Sequence, residues 1–470
     1  MLRFGRKKQV FIDWELVEPG YGVAWTGDTP GAWEMPTGVA LSTHLPEVGM
    51  EPVVQADQPW ESWLNVYSSI FEDEGRYRLY YECHYDDGSA HVDFGAMLAH
   101  TESTDGINWT KPTVGTVEFQ GSKDNNLVFG LDLSLGRGAH GATVFKDPSA
   151  PPDQRYKLVH MGREKGVDGV YGAVSPDGLR WTALQEPVVP GYFSDTQSVA
   201  RFDEELGRYV GYFRGWTLHE RGKAHGRRTI ARGESDRFDF WQDPVQIVAP
   251  DRHDTPDTDI YTNGYTPWPN ADAHLMFPAY YGRTTDISEV HMLTSRDGHH
   301  WQRPIREPVV PAGPPGSDSE AGYYAGAGLV STRSGQLSLP VGPEWHTHNE
   351  SHFAPSGPPR HTGYLTFATW RRDGFVSLEA ESQGSFTTVP FTFEGGRLKV
   401  NAWTRFGGEV SFELVDASTA SMREAGTTVA GKTFADCDAI SGDHLETTIS
   451  WNGASDLSAW VGKPVRLRVR

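Results

Sequence analysis

Ser103-Thr-Asp105-Gly106-Ile-Asn-Trp109 is the stretch that decides the fold, because it recurs along the chain. Four further copies, two of them intact and two degenerate, lie at 175–181, 295–301, 235–241 and 371–377. Copies roughly 60 to 75 residues apart are typical of a repeated structural unit. Asp-Gly between apolar stretches predicts a tight turn, since Gly accepts positive φ and Asp caps the turn. The sequence therefore predicts five sheets, each with its outer strands joined by this turn.

Three short strand-like runs precede each copy, as at 65–71, 76–82 and 95–101 before the first. Three strands, a turn and a fourth strand make one propeller blade. The prediction is an all-β protein with a five-bladed β-propeller over residues 1–383, whose blades lie near 61–115, 137–190, 195–248, 259–311 and 320–382. The apolar run 10–16 is predicted to be a strand that closes the ring. A β-sandwich with accidental Asp-Gly turns is the alternative.

The sequence repeat ends near residue 383, and no Asp-Gly-x-x-Trp motif occurs after it. Apolar and polar residues alternate in several runs there, which is typical of half-buried strands. Residues 384–470 are therefore predicted to form a small C-terminal β-sandwich. A supporting role is expected for it, with sugar binding as the alternative.

The charge of the chain limits its partners. The 470 residues include 42 Lys and Arg against 62 Asp and Glu, a formal net charge of −20. Such a surface repels phosphate backbones and anionic membranes, so neither nucleic acid nor a membrane is an expected partner. No apolar run has membrane-spanning length and no signal-peptide pattern follows Met1, which predicts a soluble cytoplasmic protein. The two cysteines are expected to be free thiols, and the oligomeric state is open.

In a propeller, the loops that lead into the innermost strands converge on one pocket. The four carboxylates predicted to be catalytic in these loops are Glu61, Asp195, Asp259 and Glu320. The residues predicted to bind the substrate are Trp60, Trp63, Arg137, His140, Arg214, Tyr261, Tyr323 and Glu344. Converging carboxylates beside aromatic walls suit glycoside cleavage, which needs an acid and a base or nucleophile. Weaker candidates at the ends of second strands are Glu82, His84 and Trp216.

Five blades followed by a β-sandwich resemble the glycoside hydrolases of families 32, 43, 62 and 68, and family 32 in particular. The resemblance implies a glycosidase of carbohydrate metabolism that cleaves a small oligosaccharide, with Glu61 as base or nucleophile and Asp195 as acid. The motifs of family 32 are not reproduced. Its Arg-Asp-Pro segment has only 145–148 as a partial match, placed after the first strand of the second repeat, where Asp147 is interpreted as a turn residue.

Two other functions stay open from the sequence. A phosphorylase of the family 130 type would hold phosphate with Arg137, His140, Arg214 and Arg228, and a non-catalytic propeller would only bind carbohydrate. No cofactor is expected, and a structural Ca²⁺ or Na⁺ ion in the central channel is an open alternative. The His-rich stretch 344–352 is interpreted as a loop rather than a metal site.

Overall fold

The computed structural model describes residues 1–20, 34–85, 95–130, 138–164, 167–220, 223–331, 335–353, 363–420 and 426–470. Strands dominate these ranges, and the α-helix that they contain, His348–Phe353, is six residues long. Short 3₁₀ helices lie at Pro152–Gln154 and Ser458–Trp460. No helix within the described ranges has the length and apolar character needed to cross a bilayer. The all-β prediction is confirmed.

Two compact units divide the chain. The first consists of residues 1–44, 270–272 and 372–470, and the second of 45–269 and 273–371. Residues 1–44 thus cluster with the C-terminal segment, whereas the sequence analysis assigned them to the propeller.

The first three repeats of the second unit each form one antiparallel sheet. Sheet 1 contains Trp63–Asp73, Arg76–His84, Ala96–Ser103 and Leu127–Phe129. Sheet 2 contains Thr143–Lys146, Tyr156–Glu164 and Val167–Ser175, with Thr182–Ala183 and Val189–Pro190 both paired to its third strand. Sheet 3 contains Val199–Asp203, Arg208–Glu220, Lys223–Ser235 and Val245–Val248.

The last two repeats are more irregular. Sheet 4 is split by interruptions in its ladders into Thr258–Ile260, Thr266–Pro267, His274–Met276, Ala279–Gly282, Ile287–Val290 and Leu293–Ser295. Sheet 5 contains Gly322–Ala325, Val330–Ser331, Gln336–Glu344 and Tyr364–Arg371, with Glu47–Val48 and Val54–Gln55 on its outer edge. A parallel bridge between Ser288 and Gly322 joins the two sheets.

Hydrogen bonds link the inner segments of neighbouring repeats, and the last repeat returns to the first. These bonds are Val144 N to Ser69 Oγ (3.1 Å), Ser198 N to Gly141 O (3.1 Å), Asn263 Nδ2 to Gln197 O (3.2 Å) and Ala327 N to Ser68 O (2.8 Å). Sheets that radiate from such a ring form a β-propeller. Five as the number of blades stays a prediction.

The Asp-Gly phrases form the predicted turns between third and fourth strands. Asp105 Oδ1 accepts hydrogen bonds from the backbone N–H groups of Ile107 (2.9 Å) and Asn108 (2.8 Å), and Gly106 has a φ of 71°. Trp109 Nε1 donates back to the Gly106 carbonyl at 3.3 Å. The copies at 175–181 and 295–301 repeat the Asp and Gly contacts, which confirms the turn prediction.

Gly298→Ala is expected to destabilise the protein more than Gly207→Ala. Both glycines have positive φ, 71° and 65°, so a side chain costs about 1–2 kcal/mol of strain at either position. A Cβ on Gly298 would also meet Arg232 NH1 at 2.3 Å and the Tyr212 hydroxyl at 2.6 Å, whereas nothing lies within 4 Å at Gly207. Urea unfolding of both variants measures the difference, and equal losses would contradict the packing role of Gly298.

The predicted closing strand at 10–16 was wrong. Residues 10–16 form no strand, and they belong to the first unit, where Val10, Ile12 and Leu16 are buried. Glu47–Val48 and Val54–Gln55 instead pair with Tyr364–Arg371 on the edge of sheet 5. Apolar content alone did not distinguish a buried irregular segment from a strand.

The first unit has a two-layered β core. Its larger sheet contains Leu2–Phe4, Phe386–Thr387, Phe391–Phe393, Phe412–Asp416, Thr427–Thr428 and Val465–Val469. Two further strand pairs are Lys399–Trp403 with Asp443–Thr448, and Ala40–Thr43 with Val376–Glu379. One hydrophobic cluster, which includes Leu414, Ile449 and Trp451, fills the space between the larger sheet and the segments around 400 and 449.

Candidate active site

Four alternately charged side chains from three sheets form a row, which we call the charged array: Glu82, His140, Asp195 and Arg214. His140 Nδ1 lies 3.0 Å from Glu82 Oε1, and His140 Nε2 lies 3.5 Å from Asp195 Oδ1. Arg214 NH1 lies 3.9 Å from Asp195 Oδ2. Glu82 and Arg214 come from second strands, whereas His140 and Asp195 precede first strands. Because neighbouring strands are antiparallel, these positions share one rim of the second unit.

Glu82 is the buried anion of the array. Its oxygens accept hydrogen bonds from Asn65 Nδ2 (2.9 Å) and the backbone N–H of Gly141 (2.7 Å), and His84 Nε2 lies 2.7 Å away. Burial alone would raise the pKa of Glu82, but the charge and hydrogen bonds of His140 and His84 outweigh it. They hold the pKa of Glu82 well below its usual range, so Glu82 is ionised.

His140 is a cation held between two carboxylates. Burial alone would lower its pKa, but the Glu82 and Asp195 carboxylates raise the pKa of His140 to about 10. The imidazole is therefore protonated at neutral pH. Both ring nitrogens then carry protons, and each is directed to a different carboxylate.

Asp195 is the most exposed member of the array. Its side chain is 34% exposed, while those of Glu82 and Arg214 are fully buried. The protonated His140 lies on one side of its carboxyl group and Arg214 on the other. The array thus offers solvent one carboxylate that two cations hold in place.

Three tyrosines form an aromatic wall beside the array. The Tyr67 ring packs edge-on against His140 with centroids 5.5 Å apart, and the Tyr261 ring packs against Tyr324 at 5.7 Å. The Arg214 guanidinium lies 4.1 Å from the Tyr261 centroid, a cation–π contact. Burial raises the pKa of both Tyr67 and Tyr324 well above the usual value, so both hydroxyls stay neutral.

Glu344 is a second carboxyl group at the same rim. It ends the second strand of sheet 5, in register with Gly322 at the start of the first strand. The charge of Glu344 contributes to the raised pKa of Tyr324, so Glu344 lies beside the aromatic wall. Burial raises the pKa of Glu344 to about 8, and within the described residues its carboxyl group has no hydrogen-bond or ion-pair partner. Glu344 is therefore largely protonated at neutral pH.

Glu61 lies outside the charged array. Lys111 Nζ and the Tyr81 hydroxyl each approach its buried carboxylate at 2.6 Å. The neighbouring Trp60 packs into the core of sheet 1 and donates to Asn126 Oδ1 at 2.9 Å. Glu61, predicted as the base or nucleophile, and Trp60, predicted to contact the substrate, thus both make contacts within the first repeat.

Asp259 is also fully buried and paired. Arg228 NH1 approaches it at 2.7 Å and Arg283 Nε at 2.9 Å, so two guanidinium groups neutralise one carboxylate. It has no direct contact with Asp195 or Glu344.

The remaining predicted residues have mixed positions. Glu320 Oε2 accepts a hydrogen bond from Gly316 N at 2.6 Å, which caps a turn. Tyr324 rather than Tyr323 is the residue of that pair in the aromatic wall. Trp63 stacks on His84 with centroids 3.8 Å apart, next to Glu82. Arg137 lies outside the described residues.

No group of three or more His, Cys, Asp or Glu side chains in the described ranges is arranged to hold a metal ion. In the His-rich stretch, His346 Nδ1 lies 3.7 Å from Glu350, and the His348 ring contacts Tyr261. The side chain of His352 lies outside the described residues.

Sequence reasoning overlooked Tyr67 and Tyr324 and gave Glu82 and Arg283 little or no weight. A signal for the first two was available. In a first strand, successive residues face opposite sides, so residues an even number of positions after the start, as Tyr67 and Tyr324 are, belong to the same face as the start. The partners that surround Glu82 come from the first and second repeats, and no such signal for them exists in the sequence.

Comparisons with known proteins found similar structures but no match in sequence. No protein-family model matches the chain, and no curated protein matches its sequence. Among solved structures, one titled "Glycoside hydrolase" aligns at TM-score 0.49 and 11% identity, over 70% of this chain and 92% of that one. The GH43_1 enzyme of Xanthomonas citri complexed with xylose aligns at TM-score 0.46 and 13% identity, over 67% and 90%.

An N-acetylgalactosamine deacetylase from F. plautii also aligns, at TM-score 0.42 and 13% identity, over 75% of this chain and 94% of that chain. The chain is thus similar in architecture to glycoside hydrolase structures, among others. Likeness at this level does not extend to activity, and the propeller assignment rests on the sheet topology described above.

Proposed function

We propose that the second unit is a glycosidase that cleaves a small oligosaccharide or glycoside at the rim carrying the charged array. The observation that carries the proposal is the presence of two carboxyl groups in unlike surroundings, Asp195 and Glu344, at that rim. Asp195 lies between His140 and Arg214. Burial raises the pKa of Glu344 to about 8. A carboxyl group beside two cations and a buried carboxyl group without a partner suit the base and the acid that glycoside cleavage requires.

In the proposed reaction, Glu344 donates its proton to the glycosidic oxygen as the bond to the leaving group breaks. The Asp195 carboxylate acts on the opposite side, either on the anomeric carbon or on a water molecule. His140 and Arg214 orient Asp195, and Glu82 helps to keep His140 protonated. The tyrosine wall offers faces on which a sugar ring can stack.

Glu344→Gln tests the acid role through the leaving group. The variant is expected to lose about 10²–10⁴-fold in kcat/KM on glycosides with poor leaving groups, because these need a proton. Activated aryl glycosides such as 2,4-dinitrophenyl derivatives need no proton and should lose far less. A panel of aryl glycosides, assayed with and without phosphate, measures both effects.

The same panel gives the pH dependence. Wild-type kcat/KM is expected to fall as pH rises through about 8, where Glu344 loses its proton. Glu344→Gln should lack this alkaline limb. Equal losses for good and poor leaving groups would refute the acid assignment, and cleavage only in the presence of phosphate would instead favour a phosphorylase.

A further inference from the structure

A cleft of about 410 Å³ lies next to the aromatic wall of the candidate site. The side chains that matter for its chemistry are Trp216, His225, Arg228, Tyr281, Arg283 and His348. No carboxylate is among its lining residues. This composition contrasts with the net charge of −20 on the whole chain.

The guanidinium groups of the cleft outnumber the carboxylates that contact them. Asp259, buried behind the cleft, is shared by Arg228 and Arg283. Asp286 also lies nearby, but its carboxylate accepts hydrogen bonds from the Tyr281 hydroxyl (2.6 Å) and Asn349 Nδ2 (2.7 Å). The cleft therefore offers donors and positive charge rather than acceptors.

Several of these donors have no acceptor. Arg228 Nε and Trp216 Nε1 are buried and lack a hydrogen-bond partner within the described residues. The same holds for Arg214 Nε and NH1, on the other side of Tyr261. Buried donors without acceptors cost free energy, and native proteins usually satisfy them. An oxyanion bound in the cleft would supply acceptors.

Tyr261 connects the cleft with the charged array. The guanidinium of Arg214 lies 4.1 Å and that of Arg228 4.7 Å from the centroid of its ring. Its hydroxyl lies 3.2 Å from His348 Nε2 at the cleft. A group bound in the cleft would thus lie one aromatic ring away from Asp195, within the reach of a neighbouring sugar unit.

We propose that this cleft binds the anionic group of an acidic sugar, specifically the carboxylate of a uronic acid within the substrate. The inference rests on the proposed function and specifies its substrate class. Guanidinium groups match planar carboxylates in geometry and charge, and Trp216 and Tyr281 provide apolar faces for the attached ring. Sulfate and phosphate esters, and free phosphate, share the oxyanion chemistry and are separated by the experiment.

Binding is measured calorimetrically with the methyl glycosides of glucuronate and galacturonate against those of glucose and galactose. The catalytically impaired Asp195→Asn variant is used beside the wild-type protein. We expect the acidic glycosides to bind about 10- to 100-fold more tightly. The preference should disappear in Arg228→Gln/Arg283→Gln/Asp259→Asn, which removes both guanidinium groups together with the carboxylate that they share. Arg237→Gln, whose side chain is 71% exposed and pairs with Asp239, should keep it.

Trp216→Phe provides a second variant in case the triple substitution unfolds. It removes one donor and keeps an aromatic face, so the preference should fall without being lost. Equal binding of acidic and neutral glycosides would overturn the proposal, as would tighter binding of inorganic phosphate or sulfate than of the uronides. If the wild-type protein prefers uronides but cleaves no glycoside, the result would support the cleft as an anion-binding site. It would refute the proposed glycosidase activity instead.

Discussion

Asp195→Asn is expected to lower kcat/KM by about 10²–10⁴-fold on every glycoside that the wild-type protein cleaves. The amide has nearly the same shape but no negative charge, so it can neither attack the anomeric carbon nor activate water. The substitution should spare the fold, because the Asp195 side chain is 34% exposed. Unlike Glu344→Gln, this variant should lose activity with good and poor leaving groups alike.

The matched control is Asp236→Asn. Its side chain is 80% exposed and pairs with Arg208 on the same sheet, so the kinetic constants should stay close to wild type. Steady-state kinetics on the aryl glycoside panel, with thermal unfolding to verify the fold, measures both variants. Less than a tenfold loss for Asp195→Asn would rule out a catalytic role for this carboxylate.

Glu82→Gln is expected to lower the free energy of unfolding by at most about 3–5 kcal/mol, since it removes the fully buried counter-ion of the half-buried His140. Removal of the Glu82 charge should also affect activity. Glu82 raises the pKa of His140, so the variant should hold less protonated His140 beside Asp195. A drop in kcat/KM that grows with pH between about 6 and 9 would report this positioning role.

The double variant Glu82→Gln/His140→Gln separates the ion pair from simple packing. If the unpaired cation causes the instability, the double variant should be more stable than Glu82→Gln alone, because no buried charge is left without a partner. Urea unfolding of the single and double variants at pH 6 provides the measurement. Additive losses would argue against coupling between the two residues.

The sign of the pH dependence follows from the two pKa shifts. His140 has a raised pKa of about 10 in the folded protein, so its stabilisation is complete below its unfolded pKa of about 6.5 and is lost as pH rises toward 10. The full shift sets an upper limit of about 5 kcal/mol. Glu82 has a lowered pKa, so its contribution is lost as pH falls below about 4.5. Wild-type stability should therefore be highest between about pH 5 and 6.5.

The fold was largely predictable because its signals are local. An Asp-Gly turn is defined by hydrogen bonds between residues two or three positions apart, as Asp105 shows with Ile107 and Asn108. The residue types that form such a turn are adjacent in the sequence. The prediction of the closing strand failed because that strand depends on a long-range contact. The strands at 47–48 and 54–55 pair with a segment about 300 residues away in the sequence.

The candidate site was predictable only in part. Asp195, His140, Arg214 and Glu344 are at the expected rim, because strand order alone indicates which loops and strand ends share it. Glu61 and Asp259 met the same criterion and yet are neutralised by Lys111 and by Arg228 with Arg283. The bases that neutralise them lie 24 to 50 residues away in the sequence.

The sequence by itself determined the turns, the short strands between them and the acidic surface, since each depends on residues close together in the chain or on composition. The tertiary structure alone decided which carboxylates are buried in ion pairs, as Asp259 is, and which reach solvent, as Asp195 does. The physical reason is that the pKa of a carboxyl group depends on burial and on charges within a few ångströms, and here many of those charges come from residues distant in the sequence, as His140 does for Glu82.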